Sequence, residues 1–166
     1  RAYGNSNGFI GGYCSSRHSL SCVMIAESEG QMQRDYFYDV NRIGEALLDP
    51  QTIGRRAAER AVRRPGARAV PTCEVPVLFA PELATGLFGH FIAAISGGNL
   101  YRKASYLEDA LGQALFPEWL SLDERPHIPR ALGSAGYDGD GLATYAKPFV
   151  ENGRLLSYVL STYSGR

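Results

Sequence analysis

The run from Pro76 to Gly98 constrains the fold more than any other stretch, because it is the longest apolar run in the chain. Val77 to Ala80 is a short continuous apolar segment, the pattern of a buried strand, and the strand reading extends over Val75–Ala80. Pro81 suits a first helical position, where the missing N–H costs nothing. From Glu82 the period becomes helical. Leu83, Leu87, His90, Phe91 and Ala94 share one side at i, i+4, i+7, i+8 and i+11. Phe88, Ile92 and Ile95 fill the other side, so the helix is apolar almost all round and is expected to lie in a core. Gly97-Gly98 reads as its C-cap. His90 sits in the middle of this helix.

The chain has 166 residues, enough for one domain with a sizeable core or for one domain and part of another. It carries 17 Lys+Arg and 17 Asp+Glu, a net charge of zero. General nucleic-acid binding needs clustered positive charge to displace counterions, so direct nucleic-acid contact is not expected. The 19 glycines and 10 tyrosines indicate tight turns between half-buried strands. Three cysteines, an odd number in a chain of this length, argue against a disulfide framework and favour a reducing, cytoplasmic setting. No apolar run reaches the ~20 residues of a membrane span, and no membrane partner is expected. The opening at Arg1 and the stop at Arg166, straight after a strand pattern, read as an excised piece of a longer polypeptide.

Asn7-Gly8 in the turn-rich opening is a hairpin signal. Leu20 to Ala26 alternates like a strand, Glu29-Gly30 is a turn, and the Tyr- and Phe-rich Met32–Val40 is a second strand. Asp49-Pro50 starts a helix, with Asp as N-cap and Pro at N1. Ile53, Ala57 and Ala61 share one face, and Pro65-Gly66 stops the helix. Ala67 to Thr72 reads as a linker. Ser105 and Glu108 form a capping-box pattern that predicts a helix through Leu115. Trp119 to Arg130 reads as loop. Thr144–Val150 and Arg154–Leu160 read as strands joined at Asn152-Gly153 by a type I′ turn. The expected class is α+β: mixed, mainly antiparallel sheets, with a buried central helix (about 81–97) and two further helices (about 50–64 and 105–115).

Several residue groups could carry chemistry. Cys14, His18 and Cys22 are four apart, but on a strand the two thiols lie ~26 Å apart, too far to share an ion. Arginines from Arg55 to Arg68 form a basic patch that reads as a solvated helix face, or else as a docking surface for an acidic partner. Asp138-Gly139-Asp140-Gly141 resembles part of a calcium loop, but the bidentate Glu that the loop needs is replaced by Phe149, so it reads as a turn. A hydrolase built on His18 or His127 lacks a recognisable nucleophile. His90 lacks a second imidazole on its face and reads as a hydrogen-bonded core residue.

Several segments are familiar as words: Ser16–Cys22, Met32–Tyr36, Ala84–His90, Gly97–Lys103 and Ser161–Ser164. In order, they resemble the TldE (PmbA) proteins of bacteria along the whole chain. The resemblance implies a fragment, residues 1–166 of a longer chain, mostly its C-terminal domain, with an N-terminal domain and the C-terminal end outside it. It implies a cytoplasmic heterodimer with a TldD-like homologue, acting as a zinc metalloprotease on unfolded peptides. The family also carries the label "modulator of DNA gyrase". The zinc motif, His-Glu-x-x-x-His, belongs to TldD. Aligned on Gly89-His90, the motif puts Thr85 in place of the first zinc ligand and Gly86 in place of the catalytic Glu. No zinc is therefore expected in this chain, and none of its residues is expected to be catalytic. Zinc is expected in the TldD-like partner. The role implied is a non-catalytic subunit that degrades or matures peptides with that partner. The alternative is a stand-alone protein that modulates DNA gyrase or another nucleic-acid enzyme.

Overall fold

A computed structural model describes residues 1–165. The chain divides into two compact units, and the class is α+β with antiparallel sheets. The first unit comprises Arg1–Gly4, Ile10–Glu74 and Arg130–Leu132. Its short strands β1 (Ala2–Gly4) and β2 (Ile10–Gly12) pair antiparallel. Its main sheet is a long hairpin of β3 (His18–Ser28) and β4 (Gln31–Asn41). Glu29 and Gly30 both have positive φ, 51° and 74°, as a two-residue type I′ turn requires.

Helix α1 (Pro50–Val62) packs on one face of this hairpin. It starts where the sequence predicts: Asp49 Oδ1 accepts the Thr52 N–H at 3.0 Å, with Pro50 in the first turn. Ile53, Ala57 and Ala61 are its buried stripe. Small residues at two of these three positions let the helix lie close over Leu20, Cys22 and Phe37, which alternate onto one side of the strands. The capping bond holds the Asp49 carboxyl below its ordinary pKa, chiefly through the Thr52 hydroxyl and then the Thr52 N–H. Asp49→Ala is expected to lower the melting temperature of this unit by a few degrees and to speed exchange of the first-turn amides. The folded pKa is depressed, so the cap's contribution is present above the unfolded pKa. It is lost as the pH falls through the folded one. A pH-independent difference between Asp49→Ala and the parent across the acid limb would overturn this.

The second unit comprises Asn5–Phe9, Val75–Pro129 and the chain from Gly133 onward. It contains α2 (Pro81–Ala94), α3 (Gly97–Tyr101) and a three-stranded antiparallel sheet of β5 (Leu122–Glu124), β6 (Lys147–Glu151) and β7 (Arg154–Leu155). The core gathers Ile95, Leu107, Ala110, Phe149, Val150 and Leu155, with Phe91 and Ile92 of α2 packed against it. The Phe91 ring meets the Phe116 ring edge-on at 4.9 Å. Asn152 and Gly153 have φ of 48° and 75°, the expected type I′ turn.

Four sequence expectations are corrected in this unit. Val75–Ala80 is not a ladder strand: it runs without regular structure, and Leu78 is 98% exposed. Helix α2 forms, but it is not buried all round. No residue of it is fully buried, and Leu83 and Leu87 are 64% and 48% exposed, because the core reaches only its last turns. Gly97 opens α3 rather than capping α2. Its N–H donates to the Val159 carbonyl at 2.8 Å, which carries the backbone into a parallel bridge between Ser96 and Val159.

The fourth correction is the helix expected over 105–115, which is a chain of turns. Three contacts explain this. Ser105 Oγ accepts the Leu107 N–H two residues on, not the Glu108 N–H that a capping box needs. The Tyr158 hydroxyl lies 2.7 Å from the Leu107 carbonyl and 2.6 Å from that of Glu108, and it accepts the Ala110 N–H at 3.1 Å. Those carbonyls are the ones a helix would use. Gly112 then turns at φ 80°, and the N–H groups of Leu115 and Phe116 go to the Gly153 carbonyl.

Candidate functional site

Helix α2 carries the three positions singled out in the sequence. Pro81 and Glu82 occupy its first turn. One turn on, the Thr85 hydroxyl donates to the Glu82 carbonyl at 2.9 Å, a bond back to its own helix. Gly86 presents no side chain, and the space around it is open. His90 is exposed, which corrects its reading as a core hydrogen-bonder. The residues present do not fit a zinc ion: one imidazole, one back-bonded hydroxyl and one bare backbone make no ligand set. Among the described residues, no three His, Cys, Asp or Glu side chains come together in a way that could hold a metal ion.

The other candidates resolve into structural roles. Cys14 is exposed in a loop, His18 begins β3, and Cys22 faces α1 beside Phe37. Of the basic patch, Arg56 and Arg60 lie over the Phe37 ring at 5.1 Å each, Arg64 pairs with Asp35 at 3.0 Å, and Arg55 meets Glu59 at 3.7 Å. Four arginines of the patch therefore make contacts within the first unit itself.

The Asp138–Gly141 turn uses its carboxylates on the chain. Asp138 Oδ1 accepts the N–H groups of Asp140 and Leu142, both at 2.9 Å. Asp140 Oδ2 accepts the Thr162 hydroxyl, and also the Thr162 N–H at 3.0 Å. The Thr162 hydroxyl, then its N–H, lowers the Asp140 carboxyl pKa. His127 Nε2 lies 3.0 Å from Thr144 Oγ1, a neighbour that sequence reading missed because the two are seventeen residues apart. The threonine hydroxyl already donates to the Ala135 carbonyl. The imidazole must therefore act as the donor, which is the wrong direction for a base activating a nucleophile.

Two of the family-like segments meet in space. A Cβ on Gly97 would lie 2.2 Å from Ser164 Oγ, so the backbone at 97 and the hydroxyl of Ser164 approach as closely as a missing side chain permits. The Ser164 hydroxyl also accepts the Ser161 N–H at 2.9 Å, and the Tyr101 and Tyr163 rings contact edge-on at 6.1 Å. Beside them runs an open groove of about 390 Å³ with Leu100, Tyr101, Tyr158 and Leu160 in its lining and Glu108 at its margin. It offers apolar contact, the Ser164 hydroxyl and one carboxylate.

Two family models match the chain in sequence order. The PmbA/TldA metallopeptidase central domain covers residues 1–64, and the PmbA/TldA metallopeptidase C-terminal domain covers residues 72–166. The chain belongs to the PmbA/TldD family. The gap between the two matches, residues 65–71, overlaps the Ala67–Thr72 linker read from the sequence. The chain is 43% identical to the Metalloprotease PmbA of Escherichia coli O157:H7 over 166 residues, all of this chain and 37% of that one. A solved Bacteroides thetaiotaomicron structure bearing the words "modulator of DNA gyrase" superposes with a TM-score of 0.91 at 28% identity, over 96% of this chain and 37% of that one. The TldE structure from Thermococcus kodakarensis shares the fold, with a TM-score of 0.74 at 24% identity, over 90% of this chain and 34% of that one. The chain thus spans 37% of the length of the curated PmbA relatives it matches. Among the described residues, no helix is long and apolar enough to cross a membrane.

Proposed function

We propose that this chain is the central and C-terminal part of a longer TldE-type polypeptide, acting as the non-catalytic subunit of a cytoplasmic zinc metalloprotease. Its partner is a TldD-like homologue that carries the zinc and the catalytic base. The pair degrades or matures unfolded peptides. The observation that carries this reading is α2. The helix lies within the match to the metallopeptidase C-terminal domain, and alignment of His-Glu-x-x-x-His on Gly89-His90 puts the motif there. Yet Thr85 is back-bonded to Glu82, Gly86 has no side chain, and His90 is the one imidazole on the helix. A glycine cannot polarise a metal-bound water, and a lone imidazole binds zinc poorly. What this subunit supplies is surface: a face for the homologue and contacts that hold an extended peptide.

The test uses the full-length polypeptide purified with and without a TldD homologue. Bound zinc is measured by elemental analysis and cleavage with an unfolded peptide. Alone, the chain is expected to hold less than ~0.1 zinc per molecule and to cleave nothing, whereas the pair cleaves. Stoichiometric zinc, or cleavage by the lone chain, would sink the proposal.

The words attached to the Bacteroides relative support a second reading, a binding protein that modulates DNA gyrase. The zero net charge speaks against direct DNA contact. A salt-sensitive shift in DNA mobility with this chain alone would favour that second reading.

A further inference from the structure

The observation left over is Val77–Ala80, together with the start of α2. Val77, Leu78 and Phe79 are 68%, 98% and 47% exposed, and Leu83 and Leu87 continue the apolar surface. The segment has the composition of a strand buried on both faces, yet it takes part in none of the sheets or isolated bridges described. Proline at 76 and at 81 limits the ladder-competent stretch to the four N–H groups between them. The segment lies inside the match to the C-terminal domain model. A backbone very like this one recurs in a solved relative of which this chain covers only 37%, so most of that relative's polypeptide lies outside the shared part.

We infer that Val77–Ala80 is a strand that pairs with a β-strand from the same polypeptide outside residues 1–166, and that the same outside part covers Leu83 and Leu87. This rests on the reading that the chain is part of a longer polypeptide. An intramolecular strand fits better than a second copy or a bound peptide, because most of the superposed relative's polypeptide lies outside the shared part and is available to cover the segment. The brevity of the segment and its flanking prolines restrict pairing in trans.

The experiment is amide hydrogen exchange on the full-length polypeptide at several concentrations, following Val77 to Ala80 against the core amide of Val150. The expected result is protection of at least ~10³-fold over an unstructured chain, independent of concentration, in the monomer. Exchange within ~10-fold of the unstructured rate would overturn the inference. So would protection that appears only at high concentration, meaning a second copy, or only with added peptide or TldD homologue. A second readout is Leu78→Ala in the same full-length chain. A drop of several degrees in melting temperature is expected, and an unchanged midpoint contradicts burial. An intact mass of 18.1 kDa for the native gene product would refute the longer-chain reading itself, separately from the strand.

Discussion

Gly153→Ala is expected to destabilise the second unit by at least about 4 kcal/mol, a large share of the ~5–15 kcal/mol that holds a domain folded. Three effects coincide at this residue. Its φ of 75° is a conformation that a side chain resists, at a cost of about 1–2 kcal/mol. A Cβ there would lie 2.1 Å from the Phe116 carbonyl oxygen and 2.8 Å from that of Pro117, both rigid backbone. To make room, the 114–118 segment must move. That breaks the bonds from the Leu115 and Phe116 N–H groups to the Gly153 carbonyl, and from the Gly153 N–H to Leu120. Each buried backbone bond lost costs roughly 1–3 kcal/mol. Gly112→Ala is the matched control: the same sign of φ, at 80°, with open space around the added carbon. It should cost only about 1–2 kcal/mol. Urea unfolding of the two variants separates strain from collision. If Gly153→Ala unfolds no more easily than Gly112→Ala, the seating of the 114–118 segment on the turn is wrong.

Ile95→Ala is expected to cost about 2–5 kcal/mol, because it opens a cavity where the surroundings cannot collapse. Ile95 is 0% exposed and sits where three parts of the unit meet. It ends α2, it packs with Leu107, Phe149 and Leu155, and its carbonyl accepts the Val159 N–H at 3.0 Å. Losing the side chain weakens the anchoring of α2, whose N-terminal half has few other contacts. Hydrogen exchange across α2 should rise with the fall in stability. Tyr106→Ala, at a position 88% exposed, should change stability by less than about 0.5 kcal/mol. Equal effects of the two substitutions would contradict the core described for this unit.

The features legible in the sequence share a property: their cause lies within a few residues. The Asp49-Pro50 helix start, the Ile53/Ala57/Ala61 stripe, the alternation along β3 and β4 and the two-residue turns at 29–30 and 152–153 all follow from local sterics and periodicity. The family itself was also visible, because whole words of it survive in the letters, among them Ala84–His90. Invisible were the things decided across the chain. Nothing near residue 105 announces that a tyrosine fifty residues on will occupy the carbonyls of Leu107 and Glu108. Nothing near His127 announces Thr144, and β5 is too short to show a period.

By itself, then, the sequence determined the family, the α+β class and most of the longer elements whose hydrogen bonds close locally. Tertiary structure alone decided which apolar residues have a lid and which carbonyls are already taken. Helix α2 shows the division most clearly. Its helical period is written in residues 81–94. Its burial, however, depends on which neighbours reach it, and within residues 1–165 they reach only its last turns. Apolar side chains state a demand for cover. Whether that demand is met is settled by long-range packing, which no local pattern encodes.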